Sequence, residues 1–327
     1  MHILIFSTVF YPVLGGIENL TLNLSREFVH KGHSVKVITY QKQNKPLADI
    51  EIYYAPGFIK MIRLFLWCNV YYMPNISLKG IWLLLVNPRK RWVISQNDFS
   101  LAKNNFLSLL KLFILKFTSK NISVSKSVAD SLHTPSEIIY NCYDDAVFKI
   151  QNTAARTFDF VFVGRLVSQK GCDTLIKACA DLQQPFTLTI VGDGPEKSKL
   201  QHLVSQLNLV KHITFTGTLD SNKIASLLNK NKILVIPSKR REGFGIVVLE
   251  GLACGCNIIA ADAGGLSEAV GRFGKLFEPG NVQQLNQLLK EALQNINQIQ
   301  YNQQELTDYL SNYKKQVVAQ KYLSVFE

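Results

Sequence analysis

Short β-like runs alternate with longer stretches of helical periodicity along nearly the whole chain. HILIFS (2–7) predicts a first strand. From Gly15-Gly16 the apolar positions Ile17, Leu20, Leu24 and Phe28 follow helical spacing, and Lys31-Gly32-His33 ends that helix. SVKVIT (34–39), IEIYYA (50–55), RWVIS (91–95) and NISVS (121–125) predict further strands, with a strongly apolar helix over 101–118 between the last two. EIIYN (137–141) closes this half. A second alternation opens at FDFVFVG (158–164) and continues with a helix near 171–182, FTLTIVG (186–192), a helix over 197–208 and HITFTG (212–217). A helix over 221–230, KILVIPS (232–238), a short apolar helix from Ile246 and NIIAAD (257–262) complete it. The Gln- and Asn-rich stretch 290–304 reads as a loose surface segment, and about 305–325 as a final helix.

Alternating strands and helices imply parallel sheets covered by helices. The polar, aperiodic segment 142–157 divides the pattern into two αβ halves, so a two-lobed enzyme with a cleft is expected. Ligands of such sheets bind outside the carboxyl ends of the strands. Gly15-Gly16, Gly164, Gly192-Asp193-Gly194 and Gly243–Gly245 all follow strands, so all are candidates to line that cleft.

The chemistry concentrates in REGFGIVVLEGLACG (241–255). Glu242 and Glu250 stand eight positions apart, with Gly243-Phe244-Gly245 after the first and an apolar helix carrying the second. The glycines permit a tight turn and close approach of a ligand to the main chain. Unpaired amides at the helix start make an anion site, and Gly255 stops the helix. A phosphate held between two carboxylates able to grip hydroxyls suits a nucleotide sugar.

Composition narrows the alternatives. At 327 residues and 47% hydrophobic content the chain is long enough for two globular domains. MHILIFSTVF lacks a basic leader and reads as a buried strand rather than a signal peptide, and no charge-free stretch is long enough to span a bilayer. Cys68, Cys142, Cys172, Cys179, Cys254 and Cys256 form no Cys-x-x-Cys pair and have no histidine at zinc spacing, so reduced thiols in a cytoplasmic protein are expected. The six histidines show no ligand spacing either. The net charge is +12, and residues 57–126 carry eleven basic side chains against one acid, Asp98. Leu, Ile, Phe and Trp interleave with that charge, and no nucleic-acid motif accompanies it. The pattern fits either an anionic membrane surface or a solvated basic face, and it argues against nucleic acid as a partner.

The 241–255 segment resembles the Glu-x7-Glu motif of family-4 retaining glycosyltransferases, which have the GT-B fold. The likeness extends to FVGRLVSQKGCDTLIKA (162–178), TIVGDGPEKSKL (189–200), GTLD (217–220), YPVLGGIEN (11–19) and NCYDDAVF (141–148). It implies an α/β protein of two Rossmann-like parallel-sheet domains facing each other across a cleft. These would be a shortened acceptor-side domain (1–145), a nucleotide-sugar domain (146–305) and a helix crossing back (306–327). Arg165 and Lys170 match its diphosphate-binding positions, and a fixed guanidinium with a flexible ammonium suits that task. By the same likeness Glu242 reaches the donor sugar, and the Gly243-Phe244-Gly245 backbone contacts sugar and phosphate. Glu250 accepts from the ribose hydroxyls. Leu219 lies in the segment lining the nucleobase, Gly192 follows the second strand of the donor domain, and Gly15 and Gly16 close over the diphosphate.

The chain departs from the family pattern twice, first in its short N-terminal domain of about 140 residues. Second, many members carry a histidine after a first-domain strand, and here Ser95-Gln96-Asn97-Asp98 offers Asn97, which cannot titrate. Gly192-Asp193-Gly194 also suggests a dinucleotide site, but the third glycine and the ribose acid are missing. The expectation is a hexosyltransferase that needs no metal or other cofactor, since no Asp-x-Asp motif is present and protein cations replace the metal. The donor would be a nucleotide sugar, UDP-linked by preference. The acceptor would be a glycan or lipid-linked, in surface polysaccharide or glycolipid synthesis, with the protein peripheral at the inner face of a membrane. The alternative is a catalytically weakened sugar-nucleotide-binding protein of the same fold.

Overall fold

The computed structural model describes residues 1–327 apart from 13–14, 42–45, 103–104, 133, 152–155 and 296–301. Lys103, one of the eleven basic side chains of residues 57–126, and His133, one of the six histidines, lie outside the described residues, as do parts of the segments 142–157 and 290–304. The chain packs as two compact units, Met1–Cys142 with Tyr313–Glu327, and Tyr143–Asn312.

In the first unit seven strands form one parallel sheet: β1 (His2–Phe6), β2 (Ser34–Thr39), β3 (Glu51–Tyr54), β4 (Val70–Met73), β5 (Arg91–Gln96), β6 (Lys120–Ser123) and β7 (Glu137–Ile138). Their order is β3-β2-β1-β4-β5-β6-β7. Ile3, Leu4 and Ile5 are wholly buried, because a strand of a parallel sheet is covered on both faces. The helices are α1 (Gly16–His30), α2 (Phe58–Trp67), α3 (Leu78–Ile81, continued by a 3-10 turn Trp82–Leu85), α4 (Phe106–Leu115) and α5 (Lys126–Leu132). The apolar segment read as a helix over 101–118 is helical only at Phe106–Leu115. Asn105 caps it by accepting from Ser108 N at 2.8 Å, and a separate 3-10 turn occupies Ser100–Ala102. Strand β4 and helix α2 were not anticipated; they lie in an apolar stretch with little polar punctuation.

The second unit holds a six-stranded parallel sheet: β8 (Phe158–Val163), β9 (Leu188–Val191), β10 (Ile213–Gly217), β11 (Asn231–Ile236), β12 (Asn257–Ala261) and β13 (Lys275–Phe277). Its order is β10-β9-β8-β11-β12-β13. Around it run α6 (Cys172–Ala180), α7 (Lys197–Gln206), α8 (Ser221–Lys230), α9 (Ile246–Ala253), α10 (Gly265–Val270), α11 (Val282–Gln294) and α12 (Gln303–Ser311). Helix α11 corrects the reading of 290–304 as loose. Leu285, Leu289 and Ala292 make a buried stripe at helical spacing, and Asn286 Nδ2 donates to Ala178 O on α6 at 2.7 Å.

The final helical run is also broken in two. Extended backbone at Lys314 separates α12 from α13 (Lys315–Phe326). Helix α13 belongs to the first unit, where Phe326 packs on Phe28 at 5.5 Å between ring centres and on Tyr72 at 5.3 Å. Tyr322 meets Tyr72 at 5.7 Å, and Tyr72 shares a 2.7 Å hydrogen bond with Ser95.

Strand order reverses between β1 and β4 in one sheet and between β8 and β11 in the other. Each such switch point opens a crevice at the carboxyl ends of the strands. In the second unit the loops that emerge there are 164–171 and 237–245.

Candidate active site

Those two loops carry the predicted charged residues, and backbone contacts tie them together. Gly171 adopts a left-handed φ of +67°, and a Cβ there would run into Pro237 O. Only glycine lets the loop after β8 lie this close to the end of β11. Lys239 N donates to Gln169 O at 2.8 Å, and the Lys239 ammonium meets Asp173 at 2.6 Å. Lys170 Nζ is thereby delivered to Glu242 Oε1 at 2.8 Å, and Ser238 Oγ donates to the same oxygen. Glu242 Oε2 has no hydrogen-bond partner among the described residues, and the side chain keeps partial solvent access. One carboxylate oxygen is therefore held by the protein, and the other is available to an incoming hydroxyl.

The main chain of Glu242 is fixed as well. Its N–H donates to Ala263 O at 3.0 Å and its carbonyl accepts from Gly265 N at 2.9 Å, so the turn after β11 leans on the loop after β12. Gly245 caps α9 with a left-handed φ of +90°, and a Cβ there would strike Leu266. No side chain caps that helix start. Phe244 is buried, so this residue can offer a ligand only its backbone. Gly243 lies half-buried between them.

Glu250, in the middle of α9, is half-buried and makes no side-chain hydrogen bond among the described residues. Burial, and secondarily the neighbouring Asp144 carboxylate, push its pKa up to about 7. Arg165 is exposed directly after β8 and has no side-chain partner among the described residues. Gly192 directly follows β9 and donates its N–H to Gly217 O, at the end of β10, at 2.9 Å; Leu219 is half-buried in the loop after β10. Arg165, Lys170, Gly192, Leu219 and Glu242–Gly245 therefore belong to the strand-end loops of one sheet, and Glu250 to the middle of the helix that follows one of them, all in one unit.

The first unit holds the remaining predicted residues. Gly15 caps α1 in extended conformation without a side-chain hydrogen bond, and Gly16 is its first residue. Asn97 follows β5 and is buried. Its amide Nδ2 donates to Pro74 O and, at 3.2 Å, to Ser95 Oγ, while Oδ1 has no partner among the described residues. The side chain is thus fixed through its donor end, with an acceptor left over.

Sequence reasoning missed Ser238, Asp144 and the 263–265 loop. Ser238 closes the run KILVIPS four residues before Glu242, and Asp144 lies in NCYDDAVF far along the chain from Glu250, but no motif marks either as a partner of a glutamate. Cys254 and Cys256 are buried free thiols whose pKa values burial raises to about 12, so they pack rather than react. Among the described residues no group of three or more His, Cys, Asp or Glu is placed to hold a metal ion. Among the same residues no helix is long and apolar enough to cross a membrane.

Comparison with known proteins follows the same division. The family described as glycosyl transferases group 1 matches residues 144–317, more than half of the chain. An uncharacterised glycosyltransferase of Methanocaldococcus jannaschii is 28% identical over 319 residues, covering 88% of this chain and 87% of that protein. The GPI3 subunit of phosphatidylinositol N-acetylglucosaminyltransferase from Saccharomyces cerevisiae is 24% identical over 311 residues, covering 80% of this chain and 68% of that one. Among solved structures, Anabaena HepE in complex with UDP aligns with a TM-score of 0.80 at 19% identity, over 99% of each chain. That likeness establishes the fold, two Rossmann-like parallel-sheet units of the GT-B class. The family match, over a unit whose charged loops meet at its topological switch point, shows that the chain belongs to the glycosyl transferases group 1 family and is a glycosyltransferase.

Proposed function

We propose that the protein is a retaining, metal-independent hexosyltransferase that takes its sugar from a UDP-sugar and passes it to a glycan or lipid-linked acceptor. It would serve surface polysaccharide or glycolipid synthesis at the cytoplasmic face of a membrane. The observation that carries this reading is the Lys170–Glu242–Ser238 cluster, in which Glu242 presents one uncommitted oxygen beside a cation. Glu242 Oε2 accepts a hydroxyl of the donor sugar, and Glu250 accepts the ribose hydroxyls. As the bond from the anomeric carbon to the phosphate oxygen breaks, its electrons move onto the diphosphate. Arg165 and Lys170 neutralise that charge, helped by the amides that start α9. The backbone of Gly243-Phe244-Gly245 lies against sugar and phosphate, Gly192 and Leu219 border the nucleotide, and Gly15-Gly16 close over the diphosphate from the first unit. The acceptor oxygen attacks on the face the leaving group departs from, so configuration is kept. Asn97 supplies hydrogen bonds where a histidine is common, with its Oδ1 as acceptor.

Two relatives support the choice of ligands: HepE has been solved with UDP and with UDP-glucose, and the yeast relative is named for transfer to phosphatidylinositol. The test is a panel of nucleotide sugars, scored for UDP release and for the anomeric configuration of the product by NMR. An inverted product overturns the retaining mechanism. Binding of nucleotide sugars with neither transfer nor hydrolysis makes the protein a sugar-nucleotide-binding relative instead.

A further inference from the structure

Helix α4 turns the usual amphipathic pattern outward. Of its ten residues only Ser108 and Leu115 are buried. Phe106 is 78% exposed, and Leu107, Leu109 and Phe113 are exposed with it. Phe117 follows at 68% and packs on Phe113 at 5.2 Å between ring centres. A helix that merely covered its sheet would bury this stripe.

The neighbouring crossovers bury an apolar stripe, Met61, Leu64 and Phe65 in α2 and Leu83 in the 3-10 turn, but leave further apolar side chains outside. The connections β3 to β4, β4 to β5 and β5 to β6 all advance in one direction along the sheet. Right-handed crossovers therefore place α2, α3 with its 3-10 turn, and α4 on a single face. The β1 to β2 connection runs the other way, so α1, with α13 packed on it, covers the opposite face. On the shared face Phe58, Ile59 and Leu66 of α2 are exposed, and Leu85 is 84% exposed. Phe58 stacks on Trp82 at 4.7 Å, which joins α2 to the 3-10 turn. Exposed apolar surface this extensive marks an interaction site.

Charge identifies the partner. Arg63, Arg89, Lys111, Lys116 and Lys120 make no ion pair among the described residues, and Asp98 is the sole acid in residues 57–126. A second copy of this chain would bring the same positive charge and be repelled. An anionic bilayer supplies both an apolar interior for the rings and counter-charges for the ammonium and guanidinium groups.

We infer that the α2–α3–α4 face of the first unit is a docking surface for the anionic headgroup region of a bilayer, with Phe106, Phe113 and Phe117 inserted among the acyl chains. This deepens the membrane-proximal part of the proposed function, yet it is read without donor or acceptor. The experiment is sedimentation of the full chain with vesicles of phosphatidylcholine alone or mixed with phosphatidylglycerol, at low and high salt.

Binding is expected only to the anionic vesicles and is released by salt. Lys111→Ala with Lys116→Ala should weaken it more than tenfold, as should Phe113→Ser with Phe117→Ser. Donor hydrolysis by both variants should match the parent, which shows that they fold. No binding by the parent, or unchanged binding by the lysine pair, overturns the inference. So does a concentration-dependent dimer abolished by the phenylalanine pair, which would assign the face to a second copy. Absence of transfer activity with vesicle binding intact would defeat the proposed reaction and leave the docking surface standing.

Discussion

Lys170 and Glu242 lie 72 positions apart and meet in a 2.8 Å ion pair that joins the loops after β8 and β11. Both keep solvent access, so the pair itself adds only about 0–1 kcal/mol of stability. In the proposed reaction its importance is positional, because the ammonium keeps donors that a phosphate would take and the carboxylate keeps an oxygen that a sugar hydroxyl would meet.

Lys170→Ala should therefore lower turnover by roughly 10²–10³-fold, the loss typical of one donor to a developing anion, while the thermal midpoint hardly moves. Glu242→Gln should reduce kcat far more than affinity for UDP, because its partner is the sugar. Steady-state kinetics with calorimetric UDP titration separate the two effects. Equal losses in both quantities would contradict the division of labour.

Arg165 has no side-chain partner among the described residues, so its removal should cost the empty protein almost nothing. Arg165→Ala should weaken binding of UDP and UDP-sugars by about 2 kcal/mol, while circular dichroism and melting stay as in the parent. Parental affinity in this variant would remove Arg165 from the site.

Glu250 couples stability to pH in the direction opposite to a surface carboxylate. Its pKa in the folded chain is raised to about 7, so the folded state holds its proton longer than the unfolded state. Its contribution is favourable at low pH and is lost as pH rises from the ordinary carboxylate range to about 7. Glu250→Gln should then be more stable than the parent at pH 8, by up to about 3 kcal/mol, and nearly equal to it near pH 4.5. The same substitution should weaken nucleotide binding. Parental binding should itself strengthen from pH 6 to 8 as the carboxylate forms. Urea melts at the two pH values give the stability difference, and a flat profile would refute the coupling.

Turnover should survive EDTA, since Arg165, Lys170 and the α9 amides are assigned the leaving-group charge. Loss of turnover in chelator, with recovery on adding Mg²⁺ or Mn²⁺, would transfer that role to a metal.

The second unit was more legible from sequence than the first because its elements are punctuated. Gly245 and Gly255 bracket α9, and Asp220 caps α8 by accepting from Lys223 N at 3.0 Å. Both signals are local. Strand β4 is four residues long and adjoins an apolar helix, so periodicity could not separate them. Helix α11 was hidden by its glutamines and asparagines, although Leu285 and Leu289 already kept helical spacing. The charged positions of the site could be named from their motif, but the Ser238 contact to Glu242 and the burial of Glu250 could not. The first depends on how the 237–245 turn folds back on itself, and the second on how α9 packs within its unit. The outward stripe of α4 was visible as a stripe, and only the packing shows which way it faces.

Helix α13 sets the order in which the halves can be completed during synthesis. The second unit is continuous, Tyr143–Asn312, and holds all its own strands once that stretch has left the ribosome. The unit begun at Met1 must wait for Tyr322 and Phe326 before the ring cluster around Tyr72 and Phe28 is filled. Until then one face of a sheet made early in translation is covered by α1 without α13, a condition that exposes part of a nascent core to aggregation and to chaperones. The half begun first is the half finished last.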